Sequence, residues 1–186
     1  MTEELFYKKH YVWEKINDEE KSEVFKAADD YKKFMDASKT ERLSVNEIIK
    51  IAEKAGFENF KDKKILSCGD KLYCTNKGKN VVLMVIGSDD IEKGMNIVGS
   101  HIDSPRLDLK QNPLYEEHGL ALLKTHYYGG IKKYQWVAIP LALYGTVVKK
   151  NGEVVDISIG DDTNDPIFYI TDLLPHLSKD QNDKKL

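Results

Sequence analysis

The spacing of apolar residues changes partway along the chain, and this limits the fold more than any other feature. Up to Gly56 they recur at helical spacing. Val24, Ala28, Tyr31 and Met35 fall at steps of four, three and four, one stripe of a helix that Asp18 would cap and that runs over about 19–37. The stripe predicts a core-facing amphipathic helix. "SVNE" begins a second helix, with Ser44 and Glu47 as a capping box that satisfies free N–H groups of the first turn. Ile48, Ile51 and Ala55 form its apolar face, and Gly56 fits the left-handed position that ends helices.

From Lys71 the period becomes that of strands. "KLYCT", "NKGK" and "NVVLMVIG" read as strand, turn, strand, and the unbroken apolar run Val81–Ile86 predicts a strand covered on both faces. "NIVGS" reads as a short strand with His101 at its carboxyl end, where sites gather in open α/β sheets. Beyond Pro105 the segments "GLALLKTHYY" and "QWVAIPLALYGTVVKK" are β-rich. Asn151-Gly152 marks a hairpin turn, "EVVDISIG" alternates as a strand, and Pro140 marks an edge or bulge. The expected class is α/β, with residues 1–104 mixed and residues 105–175 mostly β.

A membrane helix needs about 18 consecutive apolar residues, and no such run occurs. The N-terminal stretch "MTEELFYKKHYVWEK" lacks the apolar core of an export signal, so a cytoplasmic location is expected. The net charge of -3 argues against broad nucleic-acid binding. Cys68 and Cys74 match no common zinc or redox spacing and are expected to be reduced thiols.

His101 and Asp103 remain as candidates for chemistry. A neutral imidazole ligates zinc and related metals, and does so best when its second nitrogen donates to a carboxylate that fixes the tautomer. In a strand, residues two apart share a face, so Asp103 is placed to do this, and Ser104-Pro105 stiffens the exit. Alone, the pattern is equally a hydrogen-bonded structural histidine. A catalytic zinc takes about three protein ligands. None of His10, His118, His126 and His176 supplies a second ligand at a recognised spacing.

"VGSHIDSPRLDLK", "THYYGGIKKYQW", "IPLALYGTVV" and "DPIFYITDLLPHL", taken in order, resemble the aspartyl aminopeptidase family of two-metal zinc exopeptidases. The resemblance implies that residues 1–104 are the N-terminal part of an α/β catalytic domain and residues 105–186 part of an inserted, mostly β dimerisation domain. It implies His101 as a metal ligand and Asp103 as the carboxylate that orients it. His176 would reach a partner subunit's active site and stabilise the substrate or tetrahedral intermediate there. Tyr128, Gly129 and Gly130 match a glycine-rich turn of that domain and read here as a turn between strands. The implied cofactors are two divalent ions, zinc first, with cobalt or manganese as alternatives. They would polarise the peptide carbonyl and a water. The implied partners are a peptide substrate and further copies of the chain, bound through the β-rich domain, with no nucleic acid and no membrane.

The family's remaining acidic ligands, its general-base glutamate and its late histidine have no counterpart in this sequence. Asp89-Asp90 and Asp161-Asp162 read as solvated loops. Two functions are therefore expected. One is a metalloaminopeptidase that removes single, possibly acidic, N-terminal residues, of which this chain is an N-terminal piece inactive by itself. The other is a non-catalytic truncated relative that acts as a dimerisation module.

Overall fold

The computed structural model describes residue 7 and residues 9–182. Part of the N-terminal stretch "MTEELFYKKHYVWEK", and the end of the polar tail, lie outside them. The chain divides into two compact units, Met1–Ile102 and Asp103–Leu186.

In the first unit, the short helix α1 (Val12–Lys15) precedes α2 (Asp18–Ala37) and α3 (Glu41–Lys54). The cap of α2 is Asn17, one residue before the expected Asp18. Its side chain accepts from Glu20 N, and Glu20 returns a bond to the Asn17 N–H, a complete capping box. Lys21–Asp18, Lys32–Asp29 and Lys33–Asp30 then pair along the helix. Exposed pairs of this kind contribute only tenths of a kcal/mol, roughly. The expected core-facing stripe is not buried. Tyr31 is 63 % exposed, Val24 and Met35 lie open as well, and α2 buries no residue.

Helix α3 starts a turn earlier than its sequence suggests. Thr40 is the cap, accepting from Leu43 N, and Ser44 lies inside the helix, buried. Both Thr40 and Ser44 are capable caps. Burial of Ser44 beside Val45 decides between them, because a cap at Ser44 would leave the helical turn that packs there unformed. Gly56 takes the left-handed conformation, φ 84°, and Phe57 N closes the helix end on Ala52 O.

A three-stranded sheet follows, β1 (Glu58–Asn59), β2 (Lys71–Asn76) and β3 (Asn80–Val85), with β1 parallel and β3 antiparallel to β2. The expected hairpin is present, and Lys77 and Gly78 turn it with positive φ. Val45 and Ala52 of α3 and Leu72 and Tyr73 of β2 make up the buried apolar core among the described residues. Polar bonds fix helix to sheet: Tyr73 Oη donates to Glu53 (2.8 Å), Lys71 to Ala55 O (3.1 Å) and Arg42 to Lys77 O (2.9 Å). The expectation that Val81–Ile86 is covered on both faces fails. Val82 is 53 % and Val85 61 % exposed, since β3 is an edge strand and α3 is the helix set against this sheet.

The second unit is mostly β. Strands β4 (Arg106–Glu117) and β5 (Leu120–Tyr128) form a long hairpin, irregular between Leu109 and Leu114. Its tip, His118-Gly119, has positive φ at both residues, as a two-residue hairpin turn requires. The "QWVAIPLALYGTVVKK" segment is not one strand. A 3₁₀ turn over Lys133–Gln135 and Ala138 at φ 58° break it into β6 (Pro140–Leu141) and β7 (Leu143–Val148). Pro140 sits at the start of β6, which pairs only with β9 (Phe168–Tyr169), as a residue without an N–H must. Strand β7 pairs with β8 (Val154–Ile159) across the expected Asn151-Gly152 turn, and β8 alternates in exposure. A short helix, α4 (Lys179–Asn182), ends the described residues.

Candidate functional site

The segment carrying His101 is extended but joins no ladder. No strand forms over residues 94–105, so the expected strand "NIVGS" is absent. Ile97 is 79 % exposed and Val98 fully so. The residues have strand character, but no neighbouring strand among the described residues offers its N–H and C=O groups. His101 itself is exposed, at the end of the first unit.

Asp103 opens the second unit and is half-buried. Its Oδ2 accepts a hydrogen bond from Tyr128 Oη at 2.8 Å. Tyr128 is the last residue of β5, and the hairpin register sets it opposite Arg106. The Arg106 guanidinium lies over the Tyr128 ring, 4.2 Å from its centroid, while Arg106 Nε donates to Asp108 at 2.7 Å. Beyond Tyr128, Gly129 (φ 73°) turns the chain close to Pro105, and a Cβ there would stand 3.5 Å from the proline ring. The chain leaving His101 is thus gripped by the far end of its own hairpin. Sequence reading placed Tyr128 in a turn. It missed the bond to Asp103, because only the register of β4 on β5 brings the two together across 25 positions.

His176 lies exposed in a 3₁₀ turn over Pro175–Leu177, in the second unit. The acidic pairs sit on exposed turns, as expected. Asp90 accepts from Glu92 N, Asp162 from Asn164 N, and Asp161 receives the Tyr144 hydroxyl. That phenol is pushed up to about 12, by burial first and then by Asp161. An open hollow of about 480 Å³ lies where the β4–β5 hairpin is irregular, lined by Lys110, Lys124 and His126 but by no carboxylate. Cys68 and Cys74 are free thiols.

The two divalent ions implied by the resemblance can be tested against this donor set. Among the described residues, no three His, Cys, Asp or Glu side chains come together as a metal site requires. His101 offers one nitrogen where a zinc needs about three protein ligands. The described residues do not by themselves fit a resident metal ion. They also include no helix long and apolar enough to cross a membrane.

Comparison with known proteins places these features in a larger fold. The model of the family described as aminopeptidase I zinc metalloprotease (M18) matches residues 34–186. A probable M18 family aminopeptidase 1 from Clostridium acetobutylicum is 49 % identical over 189 residues, covering 100 % of this chain and 41 % of its own length. The crystal structure of the M18 aminopeptidase from Thermotoga maritima superposes with a TM-score of 0.85 at 43 % identity, over 97 % of this chain and 39 % of that one. The mApe1 dodecamer of S. cerevisiae is a more distant likeness, with a TM-score of 0.65 at 25 % identity, over 79 % of this chain and 36 % of that one. The chain therefore spans about two-fifths of the length of such relatives. Its helices, its sheet and its β hairpins are elements of an α/β fold that continues beyond this span in those proteins, and the chain belongs to the M18 family of zinc metalloprotease aminopeptidases.

Proposed function

We propose that this chain is one part of a two-metal aminopeptidase that releases single N-terminal residues, acidic ones among them, from peptides. The observation that carries this reading is the family match over residues 34–186. His101 supplies one ligand nitrogen, and Asp103 is the carboxylate that sets the imidazole's tautomer and direction. Most of the ligand set comes from the stretch of the relatives that this chain does not span. On this reading, no three potential ligands come together among the described residues because the others lie elsewhere. His176 donates a hydrogen bond to the developing oxyanion in a neighbouring subunit. The β-rich unit holds copies of the chain together, in keeping with the dodecamer of the yeast relative. The protein acts in the cytoplasm, and neither nucleic acid nor membrane is a partner. The net charge of -3 is in keeping with that.

The exposed apolar faces favour a second reading. Val82, Leu83 and Val85 of β3 lie open, as does the stripe of α2, and a non-catalytic module that docks on intact relatives would use such surfaces. One experiment separates the two. The chain is mixed with a polypeptide carrying the part of the Clostridium acetobutylicum relative that it does not span. Zinc is added, and release of the first residue from an Asp-initiated peptide is followed. Turnover in the mixture but in neither component, abolished by His101→Ala, is the expected result. Stable association without turnover establishes the second reading instead.

A further inference from the structure

The cluster around Asp103 contains a residue with no assigned role. We infer that Tyr128 is a positioning residue: its hydroxyl holds the Asp103 carboxylate in the one orientation from which that carboxylate serves the site. The inference rests on the reading of Asp103 as the site's carboxylate. It deepens that reading by naming what holds the carboxylate in place.

Three observations, all within the second unit, carry it. The Tyr128 hydroxyl donates to Asp103 Oδ2 at 2.8 Å, from 25 positions further along the chain. A hydrogen bond to one oxygen restricts χ1 and χ2 of a short carboxylate, and a charge-assisted bond is the strong kind. Tyr128 is itself fixed. It ends β5 opposite Arg106, whose guanidinium covers the ring at 4.2 Å while Arg106 Nε donates to Asp108 at 2.7 Å. Finally, Gly129, at φ 73°, turns the chain just beyond Tyr128 so that a Cβ there would stand 3.5 Å from Pro105, which places the hairpin end beside the segment that carries Asp103. A tyrosine kept only as a turn residue or for ring packing would need the ring and no hydroxyl. The hydroxyl of Tyr128 is directed at a carboxylate instead.

Tyr128→Phe isolates the hydroxyl, because the ring and its stacking on Arg106 remain. Three-bond NMR couplings of Asp103 in the 186-residue chain report its χ1 directly. They are expected to show one rotamer in the wild type and averaging in Tyr128→Phe, with the melting temperature nearly unchanged. In the zinc-loaded mixture described above, the same variant is expected to lower kcat by about tenfold, the low end for partners of a metal-site histidine. KM should not change, because substrate binding is not touched. Unchanged Asp103 couplings overturn the inference and leave the proposed function standing. Averaged couplings with an unchanged kcat overturn it too. Full activity in an Asp103→Asn mixture removes the functional reading itself and takes the positioning role with it.

Discussion

Tyr144 and Asp161 show how a single pair sets a pH limit in this molecule. The phenol donates to the carboxylate, and its proton is retained up to about 12 against an ordinary value of 10.0. A group whose folded pKa is raised stabilises the fold fully below its unfolded pKa, and that contribution disappears as pH rises through the folded value. The second unit should therefore lose stability between pH 10 and about 12, and Tyr144→Phe should flatten that part of the profile. Melting temperature against pH for both proteins measures this, and parallel profiles would exclude the pair as the cause. Sequence reading was uneven at this scale. His101 and Asp103 stood out because their chemistry is local to three residues. Tyr128 and Tyr144 did not, because a phenol becomes a positioned donor only when a strand register brings it to a carboxylate elsewhere in the chain.

Among the elements, α2 and α3 make an instructive contrast. Both are well capped, yet α2 buries nothing, whereas α3 carries Val45 and Ala52 into the core. Most of a helix's stability in a protein comes from packing of its apolar face, and α2 buries none of its face. The amides of α2 should exchange hydrogen within about a factor of ten of unprotected rates. Those of central α3 and of β2 should exchange far more slowly. Hydrogen exchange resolved by NMR checks this, and protection of α2 equal to that of α3 would show that something covers its stripe. Apolar period located both helices and the β2–β3 and β7–β8 hairpins correctly, because local pattern decides those elements. It placed the start of α3 a turn late, where two capping residues competed. It also predicted a strand at "NIVGS" that has no ladder to join. A strand exists only if a neighbour pairs with it, and no pattern within one segment can supply that neighbour.

For the molecule as a whole, the exposed apolar surface goes with the share of the family's length that the chain spans. The chain has the fold of about two-fifths of an M18 aminopeptidase. Faces that a larger fold would cover remain open, among them the whole side of Val98 and the outward residues of β3. Family and fold class were legible because several separate motifs follow one another in the family's order. The bareness of α2 and β3 was not, since an apolar stripe predicts that it will be covered without saying which polypeptide covers it. The central claim, that His101 is one ligand of a site completed by residues outside this span, has a direct test in zinc retention. The chain alone, and its mixture with the complementary part of a relative, are loaded with zinc, dialysed and assayed for bound metal. The chain alone should retain essentially none. The mixture should retain two ions per complex, and substitution of His101→Ala should lower that number. Tight retention by the chain alone, or a mixture indifferent to His101, would contradict the account.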